Sequence, residues 1–129
     1  MTPRKTTILH VEDDRSLQNL VRIALESIGG YSVRTAADGY QALALAGEAA
    51  PQLLLLDLDL PGMNGIATLR ALRELPGLAD VPAVFLTASN DPAIEAELRR
   101  LGVSEILLKP FRPRLLVETI QRLLSPPKE

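Results

Sequence analysis

The chain has 129 residues, 47% hydrophobic and 23% charged, a composition that predicts one soluble globular domain over residues 1–129. Its formal net charge of −2 gives no general attraction to nucleic acid or to an anionic membrane, which disfavours direct DNA binding. With no cysteine and a single histidine, His10, the chain has only oxygen ligands with which to build a metal site.

The chain begins with a short basic stretch, and the apolar residues that follow it are too few for a signal peptide or a membrane span. A cytoplasmic location is therefore the simplest expectation. Strand-length apolar runs then recur along the chain, each followed by turn or helix-cap residues. These runs are TTILHV, YSVRTA, QLLLLD, PAVFL and EILLK.

Helix-length segments separate these runs and follow the last one. The first, at about residues 15–27, has apolar residues at helical spacing, Asp14 as a candidate N-cap and two glycines at its end. Four more helices are predicted over residues 39–49, 66–75, 92–101 and 113–124. The folded part thus covers about residues 6–124, with flexible tails at the N-terminus and at residues 125–129.

Strands that alternate with helices predict an α/β domain with a doubly wound, five-stranded parallel sheet and right-handed crossovers. All strands of such a sheet end at the same edge, and ligands bind there. Functional residues are therefore expected at the strand ends, which carry Glu12, Asp13, Asp14, Asp57, Thr87, Ser89 and Lys109.

Three carboxylates are predicted to share this edge, those of Asp13, Asp14 and Asp57. They would repel one another unless a divalent cation lay between them, which favours a magnesium site. An alternative exists for Asp13 and Asp14, because acidic residues also cap helices, where the positive end of the dipole favours them. For these two residues, both interpretations stay open.

Asp57 is different, because it follows four consecutive leucines and no helix begins on it. A carboxylate buried at the end of such a strand needs a cation or hydrogen-bond donors. Lys109 is a candidate cation: eleven of the fourteen basic residues are arginine, and the other two lysines lie near the chain ends. Thr87, at the end of the fourth strand, is either an ordinary β-branched strand residue or a hydroxyl donor opposite Asp57.

Four motifs occur in order at these strand ends: VEDD at 11–14, LLLLDLDLPGMNG at 53–65, FLTAS at 85–89 and LKPF at 108–111. Together they resemble the receiver domain of two-component response regulators over essentially the whole chain. The resemblance implies a flavodoxin-like fold with strand order 2-1-3-4-5 and five helices. It also implies a signalling phosphoacceptor, not an enzyme in the usual sense, that assists its own phosphorylation and dephosphorylation.

The resemblance assigns a role to each site residue. Asp57 is the phosphoacceptor, and Mg²⁺ is bound by Asp13, Asp14, Asp57 and the backbone carbonyl of Asp59. Thr87 and Lys109 contact the phosphoryl group. The implied donor is a sensor histidine kinase or a histidine phosphotransfer protein. The implied recipient of the signal is a downstream protein or an output domain that the sequence lacks, acting on a monomer or weak homodimer with no direct nucleic-acid or membrane partner.

One position departs from the receiver pattern. The residue three before the lysine is commonly aromatic, but here it is Ile106. This leaves room for an alternative, a receiver-like module that binds partners without being phosphorylated. A second alternative is a haloacid dehalogenase-like phosphatase, since Asp57 and Asp59 form a DxD pair, although that motif belongs on the first strand of a longer chain.

Overall fold

The computed structural model describes residues 6–124, in which five parallel strands form one sheet in the order 2-1-3-4-5. The strands are β1 (Thr7–Val11), β2 (Ser32–Ala36), β3 (Leu53–Asp57), β4 (Ala83–Thr87) and β5 (Glu105–Leu108). The helices are α1 (Arg15–Ile23), α2 (Gly39–Ala49), α3 (Gly65–Arg73), α4 (Pro92–Arg100) and α5 (Pro113–Leu124). The predicted flavodoxin-like architecture is confirmed, whereas both predicted tails lie outside the described residues.

Side-chain caps explain where four of the helices begin. Asp14, Asp38, Asn64 and Asp91 each accept a hydrogen bond of 2.9–3.0 Å from a backbone N–H in the first turn of the helix that follows. These bonds satisfy N–H groups that have no partner inside the helix. The first helix, predicted at about residues 15–27, is an α-helix as far as Ile23 and continues as a π-helical segment, Ala24–Ile28.

The sheet separates two hydrophobic layers, because successive strand residues point to opposite faces. On one face, Leu9 and Val11 of β1 belong to the layer that includes buried residues of α2, α3 and α4. On the other face, Ile8 belongs to the layer that includes buried residues of α1 and α5. Every residue of β3 and β4 is buried, as expected for central strands covered on both faces.

The strand register brings the functional edge together. Val11 pairs with Leu56, Asp57 pairs with Leu86, and Thr87 pairs with Leu108. The residues that follow β1, β3, β4 and β5 therefore emerge at one level of the sheet. Among the helices of residues 6–124, none combines the length and apolar character needed to cross a bilayer.

Candidate functional site

Asp57 is the last residue of β3 and is only 3% exposed. Its Oδ1 accepts a hydrogen bond from the backbone N–H of Asp59 at 3.3 Å and lies 3.1 Å from the Nζ of Lys109. The buried carboxylate therefore has both kinds of partner that such a charge requires, a hydrogen-bond donor and a cation.

Lys109 reaches this site from the end of β5. Its backbone N–H donates to the carbonyl of Thr87 at 2.8 Å, and its peptide bond to Pro110 is cis. Its ammonium also lies 3.4 Å from Oε1 of Glu12, a residue 97 positions away in the chain. Partial burial acts to lower the pKa of Lys109, but the hydrogen bond to Asp57 and the charge of Glu12 outweigh it, so the pKa is raised.

The acidic group at this edge consists of Glu12, Asp13 and Asp57, whose carboxylate oxygens lie within 4.8 Å of one another. It differs in one member from the predicted set, because it contains Glu12 and not Asp14. The Oδ1 of Asp14 instead accepts the backbone N–H of Leu17 at 3.0 Å as the N-cap of α1. Of the two interpretations open for Asp14, the structure therefore corresponds to the cap.

A signal in the sequence distinguishes the two roles in retrospect. A helix that begins at Arg15 uses the residue before it as its cap, and the cap carboxylate is then directed at the first turn. The carboxylates left at the strand end are the two residues before the cap, Glu12 and Asp13. Counting back from the predicted helix start would have selected this pair.

Glu12 is the most shielded acid at the edge, with 1% of its surface exposed. Burial raises the pKa of Glu12 to about 7; the N–H of Asp14 opposes this shift, and the negative charge of Asp57 adds to it. The donor from Asp14 lies 3.2 Å from Oε2, the oxygen that does not contact Lys109. Glu12 therefore changes its protonation state near neutral pH.

The acidic group fits a hard divalent cation. Its side-chain donors are all oxygens, the ligands that Mg²⁺ and Ca²⁺ prefer. Asp13 is exposed at the surface of the group, while Glu12 and Asp57 form its buried side, which leaves room for ligands from solvent. The further ligand expected from the backbone carbonyl of Asp59 stays a prediction.

Thr87 and Ile106 belong to β4 and β5, which lie beyond β3 from the strand that leads to Glu12 and Asp13. Thr87 is buried at the end of β4, and its Oγ1 accepts the backbone N–H of Ser89 at 3.0 Å. It lines a groove of about 160 Å³ between α4 and β5. Ile106 lines the same groove and packs against the hydrophobic layer next to α4.

A family model described as the response regulator receiver domain matches residues 8–121. The chain belongs to this family. The receiver is 40% identical over 124 residues to the DNA-binding response regulator MtrA of Mycobacterium tuberculosis, covering 96% of this chain and 53% of MtrA. It is 34% identical over 118 residues to the phosphate regulon regulator PhoB of Pseudomonas aeruginosa, covering 92% and 51%. The chain thus spans about half the length of these curated relatives.

Solved structures agree with this assignment. The chemotaxis protein CheY4 of Vibrio cholerae superposes with a TM-score of 0.88 at 34% identity, covering 94% of this receiver and all of CheY4. The non-phosphorylated HemR receiver domain of Leptospira biflexa gives 0.85 at 30% identity, covering 97% and 98%. The resemblance to receivers is therefore confirmed, and the matched family is not that of the haloacid dehalogenase-like phosphatases.

Proposed function

We propose that this receiver domain accepts a phosphoryl group on Asp57, in a Mg²⁺-dependent reaction, from a sensor histidine kinase or a histidine phosphotransfer protein. One observation carries the proposal. The buried carboxylate of Asp57 lies 3.1 Å from a lysine ammonium and within a group of three acidic side chains. This combination of a nucleophile, a fixed cation and a set of oxygen ligands suits phosphoryl transfer.

The transfer forms one bond and breaks another. A carboxylate oxygen of Asp57 attacks the phosphorus of phosphohistidine, the phosphorus–nitrogen bond breaks, and the imidazole of the donor leaves. Lys109 neutralises negative charge at the reacting oxygens. A magnesium ion held by Glu12, Asp13 and Asp57 would supply further charge neutralisation when bound.

The product carries its charge next to the end of β4. An acyl phosphate on Asp57 places a doubly negative group near the hydroxyl of Thr87, which now accepts the N–H of Ser89. A new hydrogen bond from Thr87 to the phosphoryl group would compete with this arrangement and bias the loop after β4 toward a second conformation. Ile106 lines the same groove as Thr87, so the signal would reach the surface of α4, β5 and α5 through an aliphatic side chain.

Partners beyond the donor follow from the family and the charge. The relatives MtrA and PhoB are named as a DNA-binding and a transcriptional regulator, and this chain matches about half of each. Given its net charge of −2, we propose that this domain contacts a protein or an output domain and not nucleic acid. Because phosphohistidine is made from ATP, the exchange would take place in the cytoplasm, with the receiver acting as a monomer or weak homodimer.

The test is phosphorylation by a small donor. The chain is incubated with acetyl phosphate and MgCl₂, and its intact mass is measured for the wild type and for Asp57→Asn. We expect the wild type to gain one phosphoryl group, the variant to gain none, and chelation of magnesium to prevent the gain. The mass of each intact chain gives the fraction modified directly.

Asp38→Asn is the matched control, because Asp38 also follows a strand at this edge but caps α2. Asparagine caps helices as well as aspartate does, so this variant should gain the phosphoryl group like the wild type. If the wild type gains no mass at any magnesium concentration, the alternative becomes the better explanation: a receiver-like module that binds partners without being phosphorylated. If Asp57→Asn also gains a phosphoryl group, the phosphoacceptor is a residue other than Asp57.

A further inference from the structure

Gln18 links helix α1 to the acidic group. It is the fourth residue of α1 and is partly buried, and its side-chain Nε2 donates a hydrogen bond to the backbone carbonyl of Glu12. The same residue bonds through its backbone N–H to the carbonyl of Asp14 at 2.9 Å, within the helix ladder. One residue thus contacts the acidic loop with both its side chain and its main chain.

The carbonyl of Glu12 needs this donor. The ladder between β1 and β3 ends with the pairing of Val11 and Leu56, so the Glu12 carbonyl lies beyond it. The N–H of Glu12 is already bonded to the carbonyl of Ala36 at 2.9 Å. Since Glu12 is 1% exposed, water has little access, and a buried carbonyl without a partner is costly.

The bond also constrains the position from which the next side chain extends. The carbonyl of Glu12 and the N–H of Asp13 belong to one rigid peptide plane. Fixing that carbonyl fixes the plane, and with it the position of the Asp13 Cα that carries the carboxylate. Asp13 is exposed, so packing contributes little to holding it in the acidic group.

We propose that Gln18 is a positioning residue for the magnesium site, holding the peptide between Glu12 and Asp13 so that both carboxylates face Asp57. This inference rests on the proposed function, because it assumes that the acidic group binds Mg²⁺. Gln18 is not expected to touch the ion or the phosphoryl group. It acts through the backbone carbonyl of Glu12.

Gln18→Met tests the proposal, because methionine keeps the length and helix preference of glutamine but cannot donate the hydrogen bond. We expect magnesium affinity, measured by calorimetric titration of the full chain with MgCl₂, to fall about tenfold, the lower end of the range for residues that hold a metal ligand in place. At saturating magnesium, the rate of phosphorylation by acetyl phosphate should stay within about twofold of the wild type, because positioning is then restored by the bound ion.

Gln52→Met is the matched control. The Oε1 of Gln52 accepts the backbone N–H of Thr7 at 2.8 Å, so it also makes a side-chain hydrogen bond to the backbone, but at the first residue of β1, the opposite end of that strand from Glu12. Its replacement should leave magnesium affinity unchanged. Gln18→Asn, whose amide is one methylene too short to reach the carbonyl, should repeat the loss seen with methionine.

The outcomes separate the two proposals. If the wild type binds no magnesium, the proposed function fails. If the wild type binds magnesium and both Gln18 variants bind it within twofold, only the role of Gln18 is overturned. A loss of phosphorylation rate that persists at saturating magnesium would likewise overturn it, because Gln18 would then act on the chemical step.

Discussion

His10 lies in β1, and Glu12 follows the strand two residues later. Both are shielded from solvent, with 0% and 1% of their surfaces exposed. Their surroundings are nevertheless opposite. Neither ring nitrogen of His10 has a hydrogen-bond partner within residues 6–124. Both carboxylate oxygens of Glu12 have one, since Lys109 contacts Oε1 and the N–H of Asp14 donates to Oε2.

Burial has the same physical effect on both groups, because it disfavours the charged form. It lowers the pKa of His10 to about 3, helped by the charges of Lys109 and Arg22. It raises the pKa of Glu12 to about 7. With no partner among the described residues, His10 is a neutral part of the core at pH 7, whereas Glu12 changes its charge near pH 7, close to the carboxylate of Asp57. Burial thus keeps His10 uncharged, whereas the partners of Glu12 stabilise its charged form.

Of the substitutions that test this difference between His10 and Glu12, replacement of Lys109 should have the largest effect, because it removes the cation that contacts both Glu12 and Asp57. In Lys109→Met, we expect phosphorylation of Asp57 by acetyl phosphate to slow by about 100-fold at saturating magnesium, since a fixed charge at the reacting oxygens is lost. The measurement is the growth of the phosphorylated mass with time.

Arg122→Met is the control for loss of a positive charge. Its guanidinium contacts Glu105 at 2.9 Å on the surface of α5, and exposed ion pairs contribute little. This variant should phosphorylate like the wild type. A wild-type rate in Lys109→Met would show that the ammonium serves only to pair the carboxylates before the metal binds.

The titration of Glu12 should make magnesium affinity depend on pH. The ion competes with a proton for this carboxylate, so binding weakens as pH falls through about 7. Between pH 8 and pH 6 the deprotonated fraction falls roughly tenfold, and we expect the affinity to follow it. Glu12→Gln should bind magnesium more weakly at pH 8 and lose most of this dependence, as calorimetry at both pH values would show.

The stability of the metal-free protein should depend on pH in the opposite direction, decreasing as the pH rises. Its folded form keeps the Glu12 proton between pH 4.5 and about 7, while the unfolded chain releases it, so this group makes the fold less stable as pH rises through that window. Saturating magnesium should offset the loss. A magnesium affinity that is flat from pH 6 to pH 8 would contradict a role for Glu12 as a ligand.

The sequence predicted those parts of the site whose positions depend on residues nearby in the chain. Asp57 is placed by the buried leucine strand that precedes it, and Lys109 by the end of the fifth strand and by its rarity in the chain. Four helix starts follow from caps that bond within three residues. Such signals need no knowledge of tertiary structure.

The parts that were not predicted depend on distant contacts. Glu12 was recognised as a strand-end residue, but its burial and its contact with Lys109 join positions 97 residues apart. The carbonyl bonded by Gln18 needs a partner only because the ladder stops one residue earlier. His10 lies in the apolar run TTILHV and so in the predicted first strand, but its lack of hydrogen-bond partners within residues 6–124 follows from what packs around it.

Replacing His10 should have the smallest effect and should be favourable. Valine removes two buried nitrogens that have no partner among the described residues, so we expect His10→Val to raise the free energy of unfolding by about 1 kcal/mol at pH 8. The gain should be larger at pH 5, because the unfolded chain binds a proton at His10 below pH 6.5 while the folded protein, with a pKa of about 3, does not. Urea unfolding at both pH values measures this, with phosphorylation as the control that should not change. A loss of stability at pH 8 would mean that His10 makes a hydrogen bond, for example to a buried water, and that it resembles Glu12 more closely than its protein contacts indicate.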